Sequence, residues 1–426
     1  MSKFIFVTPV IAGLALASGM VQATSPQPLY GASVKAYGGA VAVATTSGTG
    51  NFKRAGYVVA AISGSTGALE VTAWQDTTKE LSPIGSPYNA GGDPIAAVAA
   101  ADLDATHVIT TDVDENGVLH LKTWTVGGKA GIALANDYHS APNTANPLGS
   151  SPALGVAALS ATQIVVAYTN FNVQLVLQAW TVGDSSAAPV PAGASANGGA
   201  VNKVAIAALD SQTVITASSD ANNDLVITTW GIDSSGVHMQ DQYTKSNIVD
   251  AMYSSVAIAA GSVYVIEMLP GQSYTSRTAV TPIVNNSGDI QVLYWQISTS
   301  GKISLTADEP AGGFALGTAA CMLPTSVPMS VYGDLGLVDN DSFIHVGVYG
   351  LTEEATLSAI DGYSDAIDGV TAAVAGESAG LTPLDNAYFV TGTLTSTKFL
   401  PAEPSSPGTF ELQMWSYPVP GGTSVE

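Results

Sequence analysis

All six tryptophans of the chain end the same kind of segment: LEVTAW at Trp74, LHLKTW at Trp124, LVLQAW at Trp180, LVITTW at Trp230, IQVLYW at Trp295 and FELQMW at Trp415. Their spacings are 50, 56, 50, 65 and 120 residues. The last gap is about twice the others, and FIHVGVY stands in its middle with Tyr349 in the tryptophan's place. That count gives seven units of one kind. A chain that repeats at such a period cannot bury its apolar faces one unit at a time, so the units must pack on one another.

Each segment alternates with period two, as a strand with one face buried does. Upstream lies a second run, such as HVITTDV from His107, QIVVAYT from Gln163 and TVITASS from Thr213. DENG, NFN, DANND and NNSGD join the pairs, and these residues tolerate the positive φ of tight hairpins. Further upstream is a run of small residues: AVAVATT from Ala40, IAAVAAA from Ile95, LGVAALS from Leu154, VAIAALD from Val204, VAIAAGS from Val256 and VTAAVAG from Val370. A fourth strand should follow each tryptophan. The pattern predicts an all-β fold, a seven-bladed β-propeller of four-stranded antiparallel blades. Alanine suits innermost strands that converge on an axis, and the indole suits the widening wedge between blades. The last unit has no room for a fourth strand after Tyr417. Pro26 to Tyr37 is expected to supply it and close the ring.

The order of inner strand, hairpin and tryptophan-ended strand, over residues 40–417, resembles the WD40-like propellers in architecture. Gln, Thr, Gly or Ser follows the tryptophan here rather than Asp, and the Gly-His dipeptide is absent. The resemblance therefore implies a fold and carries no functional residue with it.

The first residues read as an export signal: Lys3, then an apolar stretch, then VQA ending at Ala23. We expect a signal peptide over residues 1–23, one propeller domain over 24–426, and a secreted or cell-surface protein. Cys321 is the sole cysteine, so no disulfide framework accompanies export. Lys plus Arg number 12 against 34 Asp plus Glu, a net charge of −22. Such a surface repels nucleic acid and anionic membranes. Yet charged residues make up only 11% of the chain, so much of the surface must be uncharged and polar. The expected partners are an extracellular protein, a glycan or copies of the chain itself.

Candidate chemistry is sparse. Two long insertions, Met268 to Pro282 and Lys398 to Gly408, are expected as binding loops, with Tyr274 and Arg277 as the residues best suited to a ligand. Asp112, Asp114 and Asn116, with Gly117, match the opening of a calcium loop. Thr123 occupies the position where that loop needs a bidentate glutamate, and tight hairpins need the same residue types anyway. Calcium is the one ion these residues would suit; otherwise we expect no cofactor. The histidines, at 107, 120, 139, 238 and 345, show no HxH or HExxH spacing. Asp102, Asp104, Asp210 and Glu267 are the carboxylates to weigh for glycosidic cleavage. Asp104, Asp210 and Ser160 recur after inner strands, which points to architecture. Two sequons, at Asn285 and Asn340, fall in hairpin turns. No catalytic set emerges. We expect a non-enzymatic binding or self-assembling module, such as a surface-layer, filament or matrix component. The alternatives are a lectin-like propeller and a carboxylate-dependent polysaccharide hydrolase or lyase.

Overall fold

The structure, a computed structural model, describes residues 27–36, 40–46, 56–77, 80–128, 131–147, 153–183, 187–250, 256–265, 274–322, 329–338, 341–351, 357–366, 380–385, 388–395 and 408–416. The signal segment, the run from Val370, Glu267 and the Lys398 to Pro407 insertion lie outside the described residues. Those described form strands and turns, with no helix among them.

The strands assemble in chain order into antiparallel sheets. The first sheet runs Val41–Thr45, Tyr57–Ser63 and Leu69–Asp76, with a broken outer strand, Leu81–Pro83 and Tyr88–Asn89. The second is Ile95–Asp104, His107–Asp114, Leu119–Gly127 and Gly131–His139. The third is Leu154–Ser160, Gln163–Thr169 and Gln174–Thr181, its outer strand again broken, into Val190–Pro191 and Ala196–Ala200. The fourth is Lys203–Asp210, Thr213–Ser219, Leu225–Asp233 and Gly236–Lys245. Next come seven strands in one sheet, from Ala259–Val265 to Leu357–Ala366. Its middle member, Ile303–Met322, pairs with Asp289–Ile297 through its first half and with Met329–Val338 through its second. Two four-stranded units thus share one long strand. The terminal sheet holds Gly380–Asp385, Tyr388–Thr395 and Gly408–Ser416, and the N-terminal Gln27–Ala36 pairs with the last of these.

One expected loop is a strand instead. From Tyr274 onward the Met268 to Pro282 insertion is the strand Tyr274–Val284, which follows the inner strand Ala259–Val265 at the register Val265 to Tyr274. Threonine, valine and isoleucine in TSRTAVTPIV favour that outcome. Only its beginning, residues 268–273, is left outside the described strands.

The tryptophans fill the seams between sheets. Trp124 clusters with Val59, Val71 and Ala73 of the first sheet, and Trp180 with Ile109 and Leu121 of the second. Trp230 packs with Leu175 and Leu177, and Trp295 with Ile215 and Ile227. Trp74 meets Phe410 and Leu412 of the terminal sheet. Each of these five indoles therefore leans on the sheet before its own. Three of them donate from Nε1 to a threonine fourteen residues upstream: Trp124 to Thr110 at 2.8 Å, Trp230 to Thr216 at 2.9 Å and Trp295 to Thr281 at 3.0 Å. A buried indole needs that acceptor. In the third sheet the position belongs to Val166, and the Trp180 Nε1 is buried with no partner.

The outer strand is disturbed wherever it passes the bulky residue. A bulge lies beside Trp124, Trp230 and Trp295, and the same shift falls at Tyr349. In the first and third sheets the strand breaks, with Pro83 opposite Trp74 and Pro191 opposite Trp180. Bulges and prolines at sheet edges are the usual ways to bend an outer strand away. Tyr349 thus occupies the tryptophan's place in backbone geometry as well as in spacing.

The hairpins between second and third strands share one turn. Asp114, Asn170, Asp220 and Asn285 each accept, through Oδ1, the N–H groups two and four residues on. The residue three positions on is left-handed in all four: Gly117 at φ 71°, Val173 at 60°, Asn223 at 63° and Gly288 at 83°. At Gly117 a Cβ would also lie 2.5 Å from the Ala145 carbonyl oxygen. Valine pays a steric penalty of about 1–2 kcal/mol in that region.

Two substitutions in the third sheet test these points. Val173→Asn should raise unfolding free energy by about 1 kcal/mol by relieving that strain. Val166→Thr should add about 1 kcal/mol by giving the Trp180 N–H an acceptor. Denaturant unfolding reads both, and a fall in stability with Val166→Thr would refute the pairing rule.

Candidate functional site

Beside three of the tryptophans the preceding outer strand supplies a tyrosine. Tyr88 meets Trp124 edge-on at 5.3 Å between ring centroids, Tyr138 meets Trp180 at 4.8 Å, and Tyr243 meets Trp295 at 5.2 Å. In register these tyrosines pair with Val71, Leu121 and Ile227, each three residues before its own sheet's tryptophan. The matching residue of the third sheet is Leu177, and its partner is Ala196. No ring therefore covers Trp230 from that side, and two glycines follow in the same strand, Gly198 and Gly199.

The result is a cavity of about 320 Å3 between the third and fourth sheets. Gly198, Gly199, Ala200 and Leu175 form one wall. Ser218, Asp220, Asn222, Val226, Thr228, Trp230, Gln242 and Thr244 form the other. Asn222, Gln242 and Thr244 are exposed at its rim, whereas Ser218, Thr228 and Trp230 are buried at its base. The Gln242 amide donates to Thr228 Oγ1 at 3.5 Å and Ser218 Oγ to the Val226 carbonyl at 3.3 Å. Asp220 is the one carboxylate among these lining residues, and its Oδ1 is occupied by the hairpin turn. A Cβ at Gly199 meets nothing within 4 Å, whereas one at Gly198 would press on Leu175 at 3.2 Å. Chemically this is a small, open site with an indole at its base and uncharged hydrogen-bonding groups around it.

The residues singled out from sequence are placed as follows. Arg277 forms an ion pair with Asp210 of the fourth sheet and reaches the Thr299 carbonyl at 3.5 Å, so it ties neighbouring sheets together. Tyr274 begins the strand Tyr274–Val284. Asp114 and Gly117 build the common hairpin turn, and Asn116 donates to the Asp93 carboxylate at 2.8 Å. Asp112 is buried in an ion pair with Lys122 at 2.9 Å. Burial pushes its carboxyl above the ordinary range, against the pull of the Lys122 ammonium. The calcium-like motif is thus divided among separate partners. Asp104 and Asp210 each accept the N–H two residues on at 2.8 Å, and Ser160 does the same through its hydroxyl at 3.2 Å. Those recurring positions are turn architecture. Burial raises the Asp102 carboxyl, with the Asp104 charge adding to it and a backbone hydrogen bond opposing.

A second polar grouping escaped the sequence reading. On one face of the second sheet Asp112 stands opposite His120, and His120 opposite His139. Two residues along, Lys122 stands opposite Asp137. The His120 and His139 rings meet edge-on at 4.6 Å, and His139 Nε2 lies 3.0 Å from Asp137 Oδ2. One donor atom from each of His120, Asp137 and His139 falls within 4.8 Å of the others. His120 Nε2 lies 3.4 Å from Asp114 Oδ2. Burial holds its imidazole below the ordinary histidine range. The sequence signal is Asp-x-His in the outer strand, and it acquires meaning only once register brings His120 across.

Comparison with solved structures gives the class. The BP39L lectin from Burkholderia pseudomallei aligns with 89% of this chain and 99% of its own at 13% identity, with a TM-score of 0.52. The WD40 domain of Toxoplasma gondii coronin covers 94% and 90% at 9% identity and 0.49. The fungal lectin from Aleuria aurantia, a six-bladed β-propeller with a fucose recognition mode, covers 77% and 96% at 10% identity and 0.43. At these identities the likeness is one of backbone alone. The chain is a β-propeller, akin in backbone architecture to the BP39L lectin. No family model and no curated protein matches it.

Lys203, at the start of the fourth sheet's inner strand, is largely buried, and its pKa falls to about 8. The folded chain therefore gives up this proton near pH 8, whereas the unfolded chain holds it to about 10.5. Folding is disfavoured while Lys203 must stay charged, and stability from this group rises as pH climbs from 8 towards 10. Lys203→Met should be more stable than the parent at pH 7, and the advantage should shrink by pH 10. A pH-independent difference in denaturant midpoints would count against this assignment.

Proposed function

We propose that the chain is an exported, non-enzymatic carbohydrate-binding propeller whose sugar site is the cavity between the third and fourth sheets. The observation that carries this reading is a cavity with the indole of Trp230 at its base and hydroxyl and amide groups around it. A sugar offers one apolar ring face and many hydroxyls, and such a site answers both needs. The volume is at the small end of ligand cavities, about 300–1,000 Å3, which suits one sugar unit. A net charge of −22 directs the preference to neutral or basic glycans over acidic ones. The lectin designation of the BP39L protein accords with this reading. Hydrolysis is less well supported, because acid–base cleavage uses two carboxylates and the lining contributes Asp220 alone.

The same proposal includes seven blades in one domain over residues 24–426, with Gln27–Ala36 as the closing strand. The inner strands touch in sequence order, and Gly380–Asp385 lies against Val41–Thr45. The packing of Trp74 on Phe410 and Leu412 supports the same closure. Export rests on the leader-like residues 1–23 and on the sparse, acidic charge.

An array of immobilised neutral and acidic oligosaccharides, probed with the mature chain, tests the function. Binding to a neutral glycan is expected, lost in Gly199→Trp with the melting temperature unchanged. Binding retained by that variant would displace the site. An array silent throughout, with scattering that shows large ordered particles, would favour the self-assembling reading instead.

A further inference from the structure

We propose that His120, Asp137 and His139 form a binding site for a zinc-type divalent cation on the outer half of the second sheet, distinct from the sugar cavity. The three residues are held on adjacent strands by register: His139 lies directly opposite His120, and Asp137 is two residues from His139 on the same face. Their donor atoms already stand within 4.8 Å of one another. A tetrahedral zinc, with bonds of about 2.0–2.1 Å, needs ligand atoms roughly 3.4 Å apart. His139 is 56% exposed and can close that difference by rotation about its side-chain bonds.

The free valences point to a missing partner. His120 Nδ1 and Asp137 Oδ1 are both buried without a hydrogen-bond partner. Buried polar atoms in that condition are uncommon and ask for an explanation. The other nitrogen of His120 faces Asp114 Oδ2 at 3.4 Å. An N–H donated from Nε2 to that carboxylate leaves the lone pair on Nδ1, the state a metal requires. Carboxylates behind ligating histidines serve this orienting role in metal sites generally.

Charge and ligand type select the ion. Asp112, Asp114 and Asp137 surround the stripe, and Lys122 offsets one of them through its contact with Asp112. A cation is therefore welcome there. Two imidazoles and one carboxylate suit zinc, or nickel and copper, and do not suit calcium, which takes oxygen ligands. Three protein ligands leave a fourth position for water.

Chelator-stripped, tag-free protein titrated calorimetrically with zinc chloride tests the site. One zinc per chain is expected, and calcium chloride should give no heat at the same concentration. His139→Ala and Asp137→Asn, both at partly exposed positions, should weaken zinc binding by more than about tenfold. Asp114→Asn should weaken it by about ten- to a hundredfold through loss of the orienting carboxylate. His238→Ala, an exposed histidine beside Asp233, should change nothing. Cobalt substitution should produce visible absorption that His139→Ala abolishes. Absence of saturable binding at about 100 μM zinc would overturn the proposal. So would zinc binding undiminished in His139→Ala, or calcium binding as tight as zinc binding.

Discussion

The packing of an indole against the preceding sheet is the interaction on which the rest of this propeller depends. A tryptophan near the end of a third strand is wide enough to fill a wedge that opens outward. Trp124, Trp230 and Trp295 are buried to within 1%. Burying that much apolar surface is worth several kcal/mol per seam. The N–H inside the seam must then be satisfied, and a threonine on the second strand meets that need. The bulges and broken strands opposite the tryptophans accommodate the same ring. Local irregularities that look like defects are thus consequences of one packing requirement.

Function enters where that packing is left incomplete. A tyrosine from the preceding outer strand covers the indole at three seams. At the fourth sheet the register position belongs to Ala196, and glycines follow it. The scaffold does not change; one missing ring leaves a cavity with the buried Trp230 at its base. The histidine cluster is a different case, a polar stripe on a face that elsewhere carries apolar residues. Its cost is offset in part by the Asp112–Lys122 ion pair, with the unpaired atoms of His120 and Asp137 left over.

Much of the architecture was legible in the sequence because strands with one buried face advertise it every second residue. The tryptophan spacing located the third strands, including the one marked by Tyr349. Asp104, Asp210 and Ser160 were correctly read as turn positions from their repetition. Other features were hidden for physical reasons. Ile303–Met322 contains Pro310, Gly312 and Gly313, which read as loop yet lie along one continuous strand. The Tyr274 segment looked like an insertion because its hairpin was long. The threonine fourteen residues before a tryptophan, and the tyrosine thirteen or fourteen after it, are visible in retrospect at several seams. Val166 and Ala196 interrupt those patterns, and the second interruption is the one at the cavity. His120 and His139 are nineteen residues apart, so only the register of an irregular outer strand could join them.

The pairing of Gln27–Ala36 with Gly408–Ser416 has a further consequence for how the molecule is made. Among the described residues, the first strand has the last as its partner. Until Gly408–Ser416 is in place, Gln27–Ala36 has no partner strand and Trp74 lacks Phe410 and Leu412. Contacts of such sequence separation form late, because the intervening loop must first be closed. A nascent chain can stack its early sheets locally, in the order they emerge, but the pairing of Gln27–Ala36 waits for Gly408–Ser416. Losing Gln27–Ala36 strips one outer strand from the terminal sheet, whereas losing Gly408–Ser416 also takes the partner of Tyr388–Thr395 and the Phe410 and Leu412 that pack on Trp74.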